Sequence, residues 1–157
     1  MTIVLVNPEI PQNTGTIARL CAVTGAKLKL VHPLGFKTDD KHLRRAGLDY
    51  WPSVDVEEID SLNSFLKLKK EKEEQNLNFY YLSKHGKNNY TDVEWKDSDF
   101  LVFGSESSGL DMEHLKPDEK SVLRIPMKEG QRCLNLANAV SIVLYEALRQ
   151  TGFKGLI

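Results

Sequence analysis

The sequence predicts an α/β fold in which a mostly parallel sheet carries helices on both faces, ending in a long C-terminal helix. Strand-like and helix-like patterns alternate along the chain, and the strand-like runs are short and apolar. Polar loops join the ends of several strands to the starts of helices, the position where open α/β sheets bind ligands. No repeat, low-complexity tract or linker interrupts the 157 residues, so one domain spanning 1–157 is expected.

Residues 3–6 are an apolar run stopped by Asn7-Pro8, which reads as a buried parallel strand. Residues 14–23 read as a helix, with Ile17, Leu20 and Cys21 at helical spacing, Asn13 as N-cap and Gly25 as stop. Residues 27–31 alternate charged and apolar side chains, a second strand ending at His32-Pro33. Residues 40–46 suggest a short basic helix opened by Thr38 or Asp39 and closed by Gly47. Over 61–74, Leu62, Phe65, Leu66 and Leu68 form an apolar face, and the lysines and glutamates beside them a solvated one. The aromatic stretch 78–83 is strand-like, and 84–89 is a polar turn around Gly86. Residues 99–104 form another buried strand, followed by the glycine-bounded loop 105–109. Residues 121–126 make the last strand and 135–150 the longest helix. On that helix Leu136, Val140, Val143, Leu144 and Leu148 face the core, while Tyr145 and Arg149 share a face four residues apart.

A net charge of −1 argues against a protein that grips nucleic acid over its whole surface, because affinity for phosphate comes from clustered cations. Lys27, Lys29, Lys37, Lys41, Arg44 and Arg45 are nevertheless concentrated in the N-terminal third. That balance suits a catalyst touching nucleic acid over a small footprint, or not at all. The two cysteines, Cys21 and Cys133, are far apart and outside any C-x-x-C motif, as expected of reduced thiols in a cytoplasmic protein. No basic, apolar leader precedes the first strand and no apolar run is long enough to span a bilayer, so neither secretion nor membrane insertion is expected.

Familiar nucleotide signatures are absent. GSESSGLD at 104–111 lacks the Gly-Lys-Ser/Thr of a P-loop, and no G-x-G-x-x-G opens a helix. No G-x-S-x-G elbow makes Ser105, Ser107 or Ser108 a nucleophile. His32, His42, His85 and His114 show no ligand spacing, so no metal is expected. Three loops remain. In the first, Pro8 and Pro11 stiffen the approach to a slim helix start that carries Arg19 one turn in. In the second, Gly104 and Gly109 would let a ligand approach the backbone, with Glu106 between them. In the third, Pro126 ends the strand and Asn135 opens the helix.

Taken in order, N-x-G-x-x-A-R, F-G-x-E-x-x-G-L and R-I-P-M with its N-L-x-N-A-V-S helix resemble motifs one, two and three of the SPOUT methyltransferases, in the SpoU branch. NPEIPQNTGTIARLCAVTG, HPLGF and DDKHLRRAGLDYW are similar to the small tRNA wobble-position (cytidine/uridine-34) 2′-O-methyltransferases, over essentially the whole chain. The resemblance implies methyl transfer from S-adenosylmethionine to a ribose 2′-hydroxyl in the anticodon stem-loop of tRNA. It also implies a C-terminal deep trefoil knot and a homodimer whose second subunit completes the active site. By position, Leu82, Gly104, Ile125 and Cys133 would hold the cofactor, largely through backbone groups. Arg19 and Asn13 would face the acceptor ribose with Glu106, Asn135 and Tyr145 in support, and Arg44, Arg45 and Arg132 would bind substrate. A guanidinium stays protonated, so Arg19 is expected to bind phosphate and stabilise developing alkoxide rather than act as base. Ribosomal RNA or another tRNA position is the alternative substrate, and an RNA-binding assembly factor the non-enzymatic one. Where many relatives read G-P-E-T-R-G this chain has Gly104-Ser105-Glu106-Ser107-Ser108-Gly109, without the arginine, and Cys133 stands where serine is commoner.

Overall fold

A computed structural model describes residues 1–37 and 53–157. Among these residues the strands are β1 (Thr2–Val6), β2 (Lys27–Val31), β3 (Val56–Ile59), β4 (Phe79–Leu82), β5 (Asn88–Asn89), β6 (Phe100–Phe103) and β7 (Val122–Arg124). They form one sheet in the order β3-β2-β1-β6-β4-β7-β5, and every neighbouring pair is parallel. The α-helices among the described residues are α1 (Pro11–Thr24), α2 (Leu62–Glu74), the short α3 (Met112–Leu115) and α4 (Leu136–Gln150).

Parallel strands need covered faces, and the two central ones show it: every residue of β1 and β6 is buried. Alternate side chains feed two cores. Ile3, Leu5, Leu101 and Phe103 pack with Ile17 and Cys21 of α1 and Val140 and Leu144 of α4. Val4, Val6, Phe100 and Val102 pack on the opposite face with Phe65 of α2 and Leu115 of α3. Helices thus lie on both faces, as the alternation of patterns predicts.

The second strand falls on 27–31 as expected, and α2 opens at Ser61, whose Oγ accepts from the Ser64 N–H at 3.1 Å. Gly25 stops α1 in the left-handed region at φ 73°, its N–H donating to the Cys21 carbonyl at 2.8 Å. The start of α1 differs from the expectation. It begins at Pro11, after Ile10, so Asn13 lies inside the first turn and is not the N-cap. Proline's fixed φ nucleates the helix early, and no side chain caps it locally. Two strands carry no sequence signal: β3, with two exposed glutamates at the sheet edge, and the two-residue, polar β5. The 84–89 turn holds only as far as Gly86, since Asn88 and Asn89 pair with β7. The basic helix expected at 40–46, with Arg44 and Arg45, lies outside the described residues.

Candidate active site

In a parallel sheet all carboxyl ends point the same way, so the loops after β1, β6, β4 and β7 gather along one edge. The first loop is held from below. Asn7 takes a left-handed backbone (φ 51°), its N–H donates to the Val31 carbonyl at 2.9 Å, and its Nδ2 donates to the Pro33 carbonyl at 3.3 Å. Gly35 donates to the Pro8 carbonyl at 2.9 Å, and a Cβ there would stand 2.7 Å from the Glu9 Cα. The HPLGF stretch therefore supports the first loop from its neighbour strand.

Three of the expected site residues meet through side chains. Asn13 Nδ2 donates to Glu106 Oε1 at 2.8 Å, and Asn135 Nδ2 donates to Asn13 Oδ1 at 2.9 Å. Asn135 Oδ1 in turn accepts from the backbone N–H groups of Ala137 at 2.9 Å and Asn138 at 3.3 Å, capping α4. The orientations are mutually enforced. A carboxylate takes only donors, so Asn13 must aim its nitrogen at Glu106 and its oxygen at Asn135, leaving Asn135 an oxygen for the helix.

Glu106 is the hub. Besides Asn13 it accepts the Glu9 N–H at 2.8 Å and the Ile10 N–H at 3.3 Å. These bonds place a carboxylate at the amino end of α1, where the helix has no local cap and its dipole favours negative charge. A carboxylate offers about four acceptor positions, and three N–H groups use most of them. Glu106 thus organises the loops and is poorly placed to remove a proton.

Gly104 is required by the loop itself rather than by a ligand: a Cβ there would run into the Gly109 backbone. The turn is closed by Ser105 N–H to the Gly109 carbonyl (3.2 Å), Gly109 N–H to the Ser105 carbonyl (3.0 Å) and the Ser105–Ser108 hydroxyl pair (2.7 Å). Gly109 itself sits in the left-handed region at φ 72°.

Leu82, Gly104 and Ile125 stand at the carboxyl ends of the adjacent strands β4, β6 and β7. Cys133 and Arg132 are exposed in the loop that leads into α4. Among the described residues the only backbone bond within 125–134 is the long one from Gln131 to Lys128 at 3.4 Å, so the loop's peptide groups are open to a ligand. Exposed Ile10, Met127 and Leu134 add apolar surface to the same edge. A nucleoside with a charged, methyl-bearing sulfur fits such a mixture of open backbone and apolar side chains.

Tyr145 is not part of the hydrogen-bonded cluster of Asn13, Glu106 and Asn135. Arg19 lies on the exposed face of α1 with Gln12, Thr16 and Val23. Tyr145, 47% exposed, is ten residues past the α4 cap, about 15 Å along the axis at 1.5 Å per residue. Cys21 is no nucleophile, since burial pushes its thiol up to about 12. Among the described residues no three His, Cys, Asp or Glu side chains cluster to hold a metal, and no helix is long and apolar enough to cross a membrane. Sequence reasoning missed Glu9 and Ser107: Ser107 Oγ donates to Glu9 Oε1 at 2.6 Å and its N–H to Glu9 Oε2 at 3.1 Å. The one cue was an acid set between two prolines.

A protein from Geobacillus stearothermophilus, provisionally named tRNA (cytidine(34)-2′-O)-methyltransferase, is 51% identical over 98% of this chain and 97% of its own length. A solved structure described as giving insights into the 2′-OH methylation of C/U34 on tRNA is 41% identical, with a TM-score of 0.88 over 96% of this chain and 95% of that one. The SpoU methyltransferase AviRb of Streptomyces viridochromogenes, in complex with AdoMet, shares the fold at 23% identity and a TM-score of 0.85, over 96% of this chain and 60% of that one. Residues 1–145 match the model of the SpoU rRNA Methylase family. With those motifs set on the loop edge of a parallel sheet, the chain belongs to the SpoU methylase family.

Proposed function

We propose that this protein transfers a methyl group from S-adenosylmethionine to the ribose 2′-hydroxyl of the wobble nucleotide, position 34, of tRNA. The Asn13–Glu106–Asn135 network carries the reading, because it joins all three family motifs at the ligand-binding edge of the sheet. Identity of 51% across nearly the full length to a relative named for that activity supports the choice of substrate. The family description speaks of rRNA, which keeps ribosomal RNA as the second substrate to test.

S-adenosylmethionine supplies an electrophilic sulfonium methyl, and the chain supplies alignment. The ends of β4, β6 and β7 at Leu82, Gly104 and Ile125, with the loop through Cys133, hold adenosine by backbone groups. Asn13 and Asn135, fixed by Glu106, orient the ribose side of the pocket. Arg19 binds the phosphate next to the target ribose and stabilises charge on the 2′-oxygen. Arg132 meets the RNA from the third loop, and Arg44 and Arg45 from outside the described residues. The proton leaves to phosphate or water, since the Glu106 oxygens are already taken by three N–H donors.

Tyr145 reaches a reaction centre only from a second subunit. The helix α4, which packs against α1, carries an exposed stripe of Asn138, Ile142, Tyr145 and Arg149, and the exposed face of α1 carries Val23 and Arg19. Pairing two such faces in a homodimer would bury the apolar members and bring the partner's Arg19 and Tyr145 toward the loops. Sedimentation at micromolar concentration is expected to give a dimer, and a fully active monomer would overturn the pairing. The trefoil knot belongs to the same reading. β7 runs between β4 and β5, and the connection joining those two strands crosses it closely: a Cβ on Gly86 would lie 2.6 Å from the Leu123 carbonyl carbon.

We further infer one catalytic domain, acting without metal in the cytoplasm. Mass spectrometry of anticodon nucleosides from a strain lacking the gene should show loss of the 2′-O-methyl mark at position 34. Loss confined to ribosomal RNA would select the second substrate.

A further inference from the structure

We propose that Glu9 is a positioning residue for methyl transfer: its carboxylate grips Ser107 and locks the first loop onto the second. The inference rests on the methyltransferase reading of this edge. Two carboxylates cross between the loops in opposite directions. Glu106 reaches back to the N–H of Glu9 at 2.8 Å, and Glu9 reaches forward to the N–H of Ser107 at 3.1 Å and its hydroxyl at 2.6 Å. Each residue next to a donor is thus itself an acceptor, and the pair closes a ring across some 97 residues of sequence.

One such bridge is a pivot, whereas two fix both the separation and the rotation of the loops. The backbone of Glu9 has little freedom of its own. Its N–H is held by Glu106, the preceding carbonyl is held by Gly35, and Gly35 packs on its Cα. The carboxylate is therefore presented from a rigid base, and Ser107 is the part that must conform. Ser107 needs that constraint because it is exposed at the tip of a loop whose other bonds join Ser105 to Ser108 and Gly109. Without Glu9, Ser107 loses both of its bonds to the first loop and can shift relative to the Glu106 contacts. Asn13 and Asn135 hang from those same contacts, so their aim at the ribose loosens. Cofactor contacts through the strand ends do not depend on the tip.

Steady-state methylation of tRNA by the full chain separates this from a stabilising role. A misplacement of about 1 Å can cost about 10²-fold in rate, so Glu9→Ala is expected to lower kcat by 10-fold or more. KM for S-adenosylmethionine should stay within about 2-fold, because the carboxylate does not form part of the cofactor-binding strand ends. Ser107→Ala should fall less, Ser107→Thr should recover most of that loss through its hydroxyl, and the double Glu9→Ala, Ser107→Ala variant should be no slower than Glu9→Ala alone. Hydrogen exchange at the Ser107 amide should accelerate in Glu9→Ala while exchange in β1 and β6 is unchanged. Wild-type kcat in Glu9→Ala, additive losses in the double variant, or an unchanged Ser107 exchange rate would overturn the proposal. Wild-type protein inactive on every RNA would instead refute the methyltransferase reading, and the exchange measurement would still report on the clasp.

Discussion

Strand β6 has a carboxylate at each end, and the two are built alike. Before it, Asp99 accepts the Lys96 N–H at 2.7 Å and the Asn78 amide at 2.9 Å. After it, Glu106 accepts two backbone N–H groups and the Asn13 amide. The settings differ. Asp99 is fully buried and its partners lie 3 and 21 residues away, so it stitches the local turn into β6 and the start of β4. Glu106 is half-buried and its partners lie 93 to 97 residues away, so it draws distant loops together at an open edge. The same hydrogen-bonding unit serves stability at the amino end of the strand and site assembly at the carboxyl end. This division matches the general rule that ligands bind at the carboxyl ends of parallel strands.

Perturbing the carboxyl end should cost activity more than stability. Arg19→Ala is expected to lower methyl transfer by about 10²-fold or more, about 3 kcal/mol, with S-adenosylmethionine affinity nearly unchanged. Calorimetry of cofactor binding beside a tRNA methylation assay checks both halves. An equal fall in both would make Arg19 a residue of the fold. Lysine should replace it poorly if a planar grip on phosphate is required.

The opposite pattern is expected at the amino end. Asp99→Ala leaves the Asn78 amide and the Lys96 N–H without their acceptor and should destabilise by about 2 kcal/mol. Urea unfolding measures that loss, and kcat per folded molecule should be unaltered. A large fall in kcat with native stability would erase the distinction between the two ends.

Acidity offers the finest test. Burial pushes the Asp99 carboxyl up, against the Lys96 and Asn78 hydrogen bonds that pull it down. Its folded pKa thus lies above the unfolded value, so its contribution to stability is full below the unfolded pKa and declines as pH rises through the folded one. The stability advantage of wild type over Asp99→Asn should therefore be larger near pH 4 than at pH 7. A difference independent of pH would mean that this carboxylate is held by its hydrogen bonds and not opposed by its burial.

Much of the fold was legible because its strands are short apolar runs with clear stops, as at Lys27–Val31. Edge elements were not. The glutamates of β3 face solvent and carry no strand pattern, their ordering coming from β2 through the Lys29–Glu57 and His32–Glu58 pairs. The site was legible as a set of residues, through motifs that resemble a family's, but not as a geometry. Asn13 looked like a cap because it is an asparagine near a helix start, and Pro11 moved that start three residues earlier. Glu9 gave no chemical hint, because its partner stands 98 residues away and only the closed sheet brings them together.

The place of β7 between β4 and β5 bears on how the protein is made. A ribosome releases the chain from its amino end, so β4 and β5 exist before the strand that must lie between them. Until then β5 has no neighbour among the described strands, because β7 is its one partner there. The apolar faces of β1 and β6 also wait, half covered by α1, for Val140 and Leu144 of α4 to arrive. The nascent protein therefore leaves the ribosome as an unfinished sheet with an oily side. Residues 122–150 both close that side and complete the ligand edge, so the core and the site are finished by the same segment.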